Sequence, residues 1–205
     1  MTTQMLFYES AVPLSVAQHH DCFVEPSVDY SFTAKVNSVP LMAVEFPQAA
    51  AEYAIVFAGA DHNILRRDQN LFVSTSDATW EAKYKPAFVR RYPFVFSATP
   101  DGQRFLLCID EAFSGFNREG RGQRLFDADK KPTPYVDNVG KFLQEYQMQF
   151  RRTQAFCQKI GELGLLEPMQ AQVEPRGGER LSLGGFQAVN RSKLRELPGD
   201  KLADL

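Results

Sequence analysis

Pro86-Ala-Phe-Val-Arg-Arg-Tyr92-Pro93-Phe94-Val95-Phe96-Ser97 repeats in outline an earlier stretch of the same chain, Pro47-Gln-Ala-Ala-Ala-Glu-Tyr53-Ala54-Ile55-Val56-Phe57-Ala58. Seven positions correspond at a fixed offset: Pro, Tyr, a small residue or Pro, three large apolar residues, then Ala or Ser. Each copy reads as a short helix that ends in Tyr and runs into a buried strand, because an unbroken apolar triplet leaves no polar face for solvent. In the second copy Pro86 suits a first helical position, where an N–H would have no partner. Phe88 and Tyr92 then share one helix face at i, i+4, and Pro93 stops the helix. The matched positions are apolar or helix-stopping, so the repeat is scaffold: two helix–strand units that place adjacent core strands. The unmatched positions, Ala49-Ala-Ala51 against Phe88-Val-Arg90-Arg91, are where function is to be sought.

Working outward, residues 94–97 and 104–110 flank the turn signal Pro100-Asp-Gly102 and predict a hairpin. Residues 31–36 alternate as a half-buried strand does. Leu6-Phe-Tyr-Glu9 reads as a short strand, Pro13-Leu-Ser-Val16 as a turn, and Leu71-Phe-Val73 as another short strand before the turn Ser74-Thr-Ser-Asp77. Residues 114–134 are rich in Gly, Pro and charge, which predicts a surface excursion. The longest helix is expected from about residue 136 to 163, with Asp137 or Asn138 as its cap. Phe142, Tyr146, Phe150, Phe156, Ile160 and Leu163 mark its apolar stripe, and Gly164 its end. Residues 171–189 predict a hairpin turning at Arg176-Gly-Gly-Glu179, and residues 191–205 a short helix interrupted at Pro198-Gly199. The fold class is therefore α+β: a mixed or mainly antiparallel sheet packed against one long helix and several short helices, in one domain over residues 1–205.

A chain of 205 residues can bury a substantial core without disulfides or metals. Its 17 Phe and 7 Tyr give that core an aromatic character. With 23 basic and 25 acidic residues the net charge is −2, and no half is strongly basic, so phosphate tracking and nucleic-acid binding are not expected. No stretch approaches the roughly 20 apolar residues of a bilayer-spanning helix. The N-terminus lacks the basic and apolar regions of a secretory signal, and three widely spaced Cys do not make a disulfide framework. These features predict a cytoplasmic protein.

Several clusters carry candidate chemistry. His19-His20-Asp21-Cys22 gathers metal-type ligands, but adjacent residues point apart and nothing in the spacing adds further ligands, so neither a metal nor a cofactor is expected. Cys108-Ile109-Asp110-Glu111 ends a strand; carboxylates beside a thiol disfavour the thiolate, so Cys108 reads as a buried small residue. Asp110 and Glu111 read either as a carboxylate pair or as a solvated strand end and helix cap. Arg90-Arg91 beside Tyr92 offers an anion site, as does Arg151-Arg152, although helical neighbours diverge by about 100° and only one Arg of each pair need face a groove. The stripe Phe142, Tyr146, Phe150 and Phe156 reads as core; the rival reading is an apolar cleft shared with Trp80, Tyr84 and Tyr135. No phosphate loop, nucleophile elbow or zinc motif is present. The residues singled out for ligand binding are Arg90, Arg91, Tyr92, Asp110, Glu111, Trp80 and Tyr146, with no catalytic residue among them.

The chain resembles the SapC family of bacterial proteins in several long strings. These include Asn37-Ser-Val-Pro-Leu-Met-Ala-Val-Glu-Phe46, Glu52-Tyr-Ala-Ile-Val-Phe57, the Pro86 stretch through Phe96, Cys108-Ile-Asp-Glu111 and Leu125-Phe-Asp127. The last runs from Phe142-Leu-Gln-Glu-Tyr-Gln-Met-Gln-Phe-Arg-Arg-Thr-Gln-Ala-Phe-Cys157 into Glu162-Leu-Gly-Leu-Leu-Glu-Pro168. The resemblance implies a link to surface layers for some members, and hence the cell surface as the alternative location. It supplies no catalytic residues. The permease label carried by many members is at odds with a chain that shows no membrane span. Residues 60–69 are shorter and more polar than the family pattern, and relatives are expected to continue beyond residue 205. The resemblance implies a non-enzymatic accessory or interaction protein, with a protein partner or a small apolar or aromatic ligand. The alternatives are a small-molecule binder or enzyme with its site near Cys108–Glu111 and Arg90–Arg91, and a surface-layer protein.

Overall fold

The two strands expected between residues 94 and 110 form and pair antiparallel, Phe94 opposite Ile109 through Ala98 opposite Phe105. The computed structural model describes residues 5–26, 29–58, 70–99, 104–173 and 181–205. The chain divides into two compact units, one made of Met1–Leu41 with Asn70–Met148, the other of Met42–Gln69 with Gln149–Leu205. The predicted turns at Pro100-Asp-Gly102 and Arg176-Gly-Gly-Glu179, and the polar stretch 60–69, lie outside the described residues.

In the first unit, β1 (Ala11–Pro13), β4 (Phe94–Ala98) and β5 (Phe105–Asp110) form an antiparallel sheet in the order β1-β5-β4. Ile109 faces Phe94 across one ladder and Val12 across the other. Pro13 closes the β1 register opposite Cys108, an end position on an edge strand, where a residue without an N–H removes no ladder bond. The strand therefore begins five residues later than Leu6-Phe-Tyr-Glu9 suggested: Tyr8 N–H instead turns back to the Met5 carbonyl. Leu6-to-Glu9 is a turn, and Pro13 a strand end rather than a turn.

Residues 114–134 hold more than an excursion. Two-residue strands β6 (Phe116–Asn117) and β7 (Gln123–Arg124) flank β2 (Phe23–Val24) in a second antiparallel sheet, β6-β2-β7. Gly122, at φ +85°, lies where a Cβ would collide with the Val24 carbonyl, so glycine is what lets the backbones approach. Beyond the sheet, Leu125 and Phe126 are buried in the main core with Cys22, Val24, Phe94, Ile109, Phe113, Val136 and Leu143.

Residues 31–36 correct the period-2 reading. Asp29 accepts the Ser31 N–H, Thr33 N–H and hydroxyl both turn back to the Tyr30 carbonyl, and Ser31–Thr33 is a short 3-10 helix. Local side-chain bonds compete successfully with the strand. A one-turn helix α1 (Val16–His19) and α3 (Ala87–Arg90) complete the short elements of this unit. Pro86 stands just before α3 with an extended ψ of 142°, not inside it. Tyr92 lies beyond the helix and its bond to Pro93 is cis.

The long helix α4 (Pro134–Glu162) contributes residues to both units. It begins at a proline, whose absent N–H is one the first turn would leave unpaired. Asp137 and Asn138 therefore sit inside the first two turns and not at the cap; Asp137 still suits the positive end of the helix dipole. Gly164 at φ +64° ends the helix as expected, with Leu165 N–H returning to the Ile160 carbonyl.

The second unit carries the first copy of the repeat. Its helix α2 (Phe46–Ala49) forms, but the strand shrinks to β3 (Phe57–Ala58), with Ala54 and Ala58 exposed and the residues between half-buried. β3 pairs with β9 (Leu181–Val189), which pairs with β8 (Leu166–Val173), again antiparallel. The two copies therefore do not place adjacent strands: β4 belongs to one sheet and β3 to another. Short helices α5 (Arg191–Arg195) and α6 (Gly199–Ala203) follow, separated at Pro198 as expected. Thr153 binds this unit internally: its hydroxyl donates to the Gln149 carbonyl and accepts the Ala43 N–H. The α+β class holds, with the described strands shared among three small antiparallel sheets.

Candidate functional site

The unmatched half of the second repeat copy lines a groove. Arg90, Arg91, Tyr92 and Phe94 form one wall. Tyr135, Asn138, Val139 and Phe142 form the other, at i, i+3, i+4 and i+7 of α4, which is one helix face. The cavity between them is about 290 Å³.

The two arginines differ in setting. Arg91 is buried, with its guanidinium 4.1 Å from the Phe88 ring centroid, 4.9 Å from Tyr146 and 5.7 Å from Tyr8. Three rings around one planar cation hold it in a fixed orientation. Arg90 is exposed. It donates its Nε–H to the Lys85 carbonyl at 3.0 Å and rests 5.5 Å over the Phe142 ring. Its two terminal amino groups make no hydrogen bond or ion pair among the described residues.

Tyr92 presents its ring rather than its hydroxyl. The ring stacks on Phe32 at 4.1 Å, and the hydroxyl is hydrogen-bonded to Asp110. Burial, and then the neighbouring Asp110 carboxylate, push this phenol well above its ordinary range. Burial likewise raises Tyr135, so both are neutral near pH 7. The Tyr135 hydroxyl and the Asn138 side-chain amide hold no hydrogen bond among the described residues.

Asp110 is not the solvated strand end that the sequence suggested. It is fully buried, and its carboxylate accepts N–H bonds from Glu9 and Ser10 at 2.9 Å and from Ala112 at 3.1 Å. It fastens the N-terminal segment to the end of β5 and orients Tyr92. Glu111 points elsewhere, with Oε1 3.3 Å from Nε2 of the fully buried His19. His19 Nδ1 lies 3.1 Å from both the Ser15 N and the Ser15 carbonyl oxygen.

Of the seven residues singled out from sequence, Arg90, Arg91 and Tyr92 meet at the groove. Asp110 and Tyr146 stand behind it, through Tyr92 and Arg91, while Glu111 and Trp80 lie outside the lining. Trp80 donates its Nε1–H to the Tyr84 carbonyl and stacks on Phe72. The apolar cleft proposed for the α4 stripe is met only by Tyr135 and Phe142; Phe156 packs edge-on to Phe46 in the second unit. Phe94, Asn138 and Val139 were not legible as lining residues, although the i, i+3, i+4, i+7 spacing from Tyr135 to Phe142 carries the signal.

The remaining clusters have other settings. Cys108 is buried and its thiol is raised by burial. Cys22 is buried beside the Gln18 carbonyl. Among the described residues no three His, Cys, Asp or Glu side chains form a metal-type group, and Arg151 and Arg152 are both exposed. No helix among them is long and apolar enough to cross a membrane.

A family model described as SapC matches residues 14–205, and the chain belongs to the SapC family. No curated protein and no solved structure matches it.

Proposed function

We propose that this SapC-family chain is a non-enzymatic binding protein, acting as one SapC-like domain, and that the groove of α3, β4 and the first turns of α4 is its working surface. The observation that carries this reading is the make-up of the lining. It combines four aromatic rings and Val139 with three kinds of polar tip, the pattern of small-ligand sites. The same lining holds no carboxylate, thiol or imidazole. A nucleophile or general base within reach of a bound molecule is what catalysis would require. The Cys108–Glu111 segment does not supply one, since Cys108 is a buried, raised thiol and Asp110 is committed to backbone N–H groups.

The test is a fragment screen by two-dimensional amide NMR on the full chain. Shifts clustered at residues 88–96 and 134–142 support the groove as the working surface. Fragments that bind only elsewhere, or turnover of a bound fragment, would overturn the reading.

A further inference from the structure

We infer that the groove takes a free small carboxylic acid bearing an aromatic ring, with Arg90 as the group that receives the carboxylate. The inference rests on the reading of the groove as a binding site and names what fits it.

Charge is the first argument. The lining residues include two arginines and no acidic side chain. The rings around Arg91 already engage its faces. Arg90 is different: its Nε–H is fixed to the Lys85 carbonyl and its face to Phe142, which leaves a positioned fork of terminal N–H donors. Such a fork matches the two oxygens of a carboxylate.

Hydrogen-bond sense is the second. The other polar tips without a bond among the described residues are the Tyr135 hydroxyl, held neutral by burial, and the Asn138 amide. Both can donate, and a carboxylate only accepts. Tyr92 adds no competing hydroxyl, because Asp110 holds it.

Shape is the third. Rings from Tyr92, Phe94, Tyr135 and Phe142 make up half of the lining residues, which rewards an aromatic body and gives a bare anion nothing to bury. A volume of about 290 Å³ sits at the low end for small-molecule sites.

The test titrates three probes on one phenylpropyl skeleton, 3-phenylpropionate, its isostere 3-phenylpropanamide, and 3-phenylpropylamine, into the full chain and into Arg90→Gln. Amide shifts and calorimetry follow binding. In the wild-type chain the acid is expected to bind at least about tenfold tighter than the amide, the margin of a charge-assisted hydrogen bond. The amine is expected to bind weakest, and only the acid's affinity should fall with added salt. In Arg90→Gln the acid should bind no tighter than the amide does in the same variant. Equal binding of acid and amide in the wild-type chain, or a preference that survives Arg90→Gln, overturns the carboxylate assignment while the groove stands. If none of the three shifts residues 88–96 or 134–142, the groove reading falls with it. The wild-type comparison decides even if the variant does not fold.

Discussion

Asp110 shows how far one residue's role can lie from its sequence signal. Beside Glu111 it looks like half of a carboxylate pair, but burial and the N–H groups of Glu9, Ser10 and Ala112 make it a structural anchor. Asp110→Ala leaves those donors and the Tyr92 hydroxyl without their acceptor in a dry site. We expect it to cost about 3 kcal/mol, with Asp110→Asn costing less because one amide oxygen still accepts. Urea unfolding of both variants measures this; a loss below about 0.5 kcal/mol for the alanine variant would show that water replaces the carboxylate. The thiols make a second residue-scale case. Burial raises Cys22, Cys108 and Cys157 alike, and only Cys157 is not fully buried. Alkylation of the native chain at pH 8 should therefore be slow, begin at Cys157 and keep accelerating above pH 9, since the thiolate is the reactive form. Rapid labelling of Cys108 at neutral pH would contradict the buried-thiol assignment. What was legible at this scale was local chemistry, such as the inertness of a thiol flanked by carboxylates. What was not legible was partnership, because Asp110 meets Glu9 and Ser10 from far along the chain.

At the scale of elements, α4 was placed within two residues at its start, and its end at Gly164 was read correctly, because a C-terminal glycine is a backbone requirement. Its buried face was read less well. The residues buried along it are Val136, Leu143, Tyr146, Thr153 and Ile160, mostly at a period of 3.5. Ranking by aromatic size favoured Phe142, Phe150 and Phe156, which are only half-buried, and passed over the hydroxyl of Thr153, which the Ala43 N–H needs. Leu143→Ala should cost about 3 kcal/mol through lost burial and a residual cavity. Met148→Ala, at an exposed position of the same helix, should change stability by less than about 0.5 kcal/mol. Equal effects in thermal or urea unfolding would put the buried stripe on another face. The repeat gives the same lesson in reverse. Its helices form in both copies, because Pro and the residues after it act locally. Its strands differ, because a strand is made by its neighbour: β4 has β5 along its whole length, whereas β3 meets β9 at two positions. The groove follows from that difference, since only the second copy brings arginines opposite α4.

For the whole molecule, the distribution of phenols makes alkaline pH a selective stress. Tyr8, Tyr92 and Tyr135 are all raised, chiefly by burial, and all three belong to the first unit. An exposed tyrosine in the unfolded chain titrates near 10. Between that value and the higher folded ones, the folded state holds more protons than the unfolded state, so unfolding free energy falls as pH rises. The stabilisation is complete below about pH 10 and is lost progressively above it. Trp80, the single tryptophan, also lies in the first unit, so its emission reports on the unit under stress. Ellipticity at 222 nm reports on helix throughout, including α5 and α6 of the second unit. In a titration from pH 8 to 12.5, Trp80 emission and phenolate absorbance should change together. A fraction of the ellipticity should remain until a higher pH. At neutral pH in urea, where the phenols are protonated in both states, this source of separation is absent. Emission and ellipticity that collapse at one shared alkaline midpoint would mean that the two units, though each has its own sheet and buried residues, unfold as one.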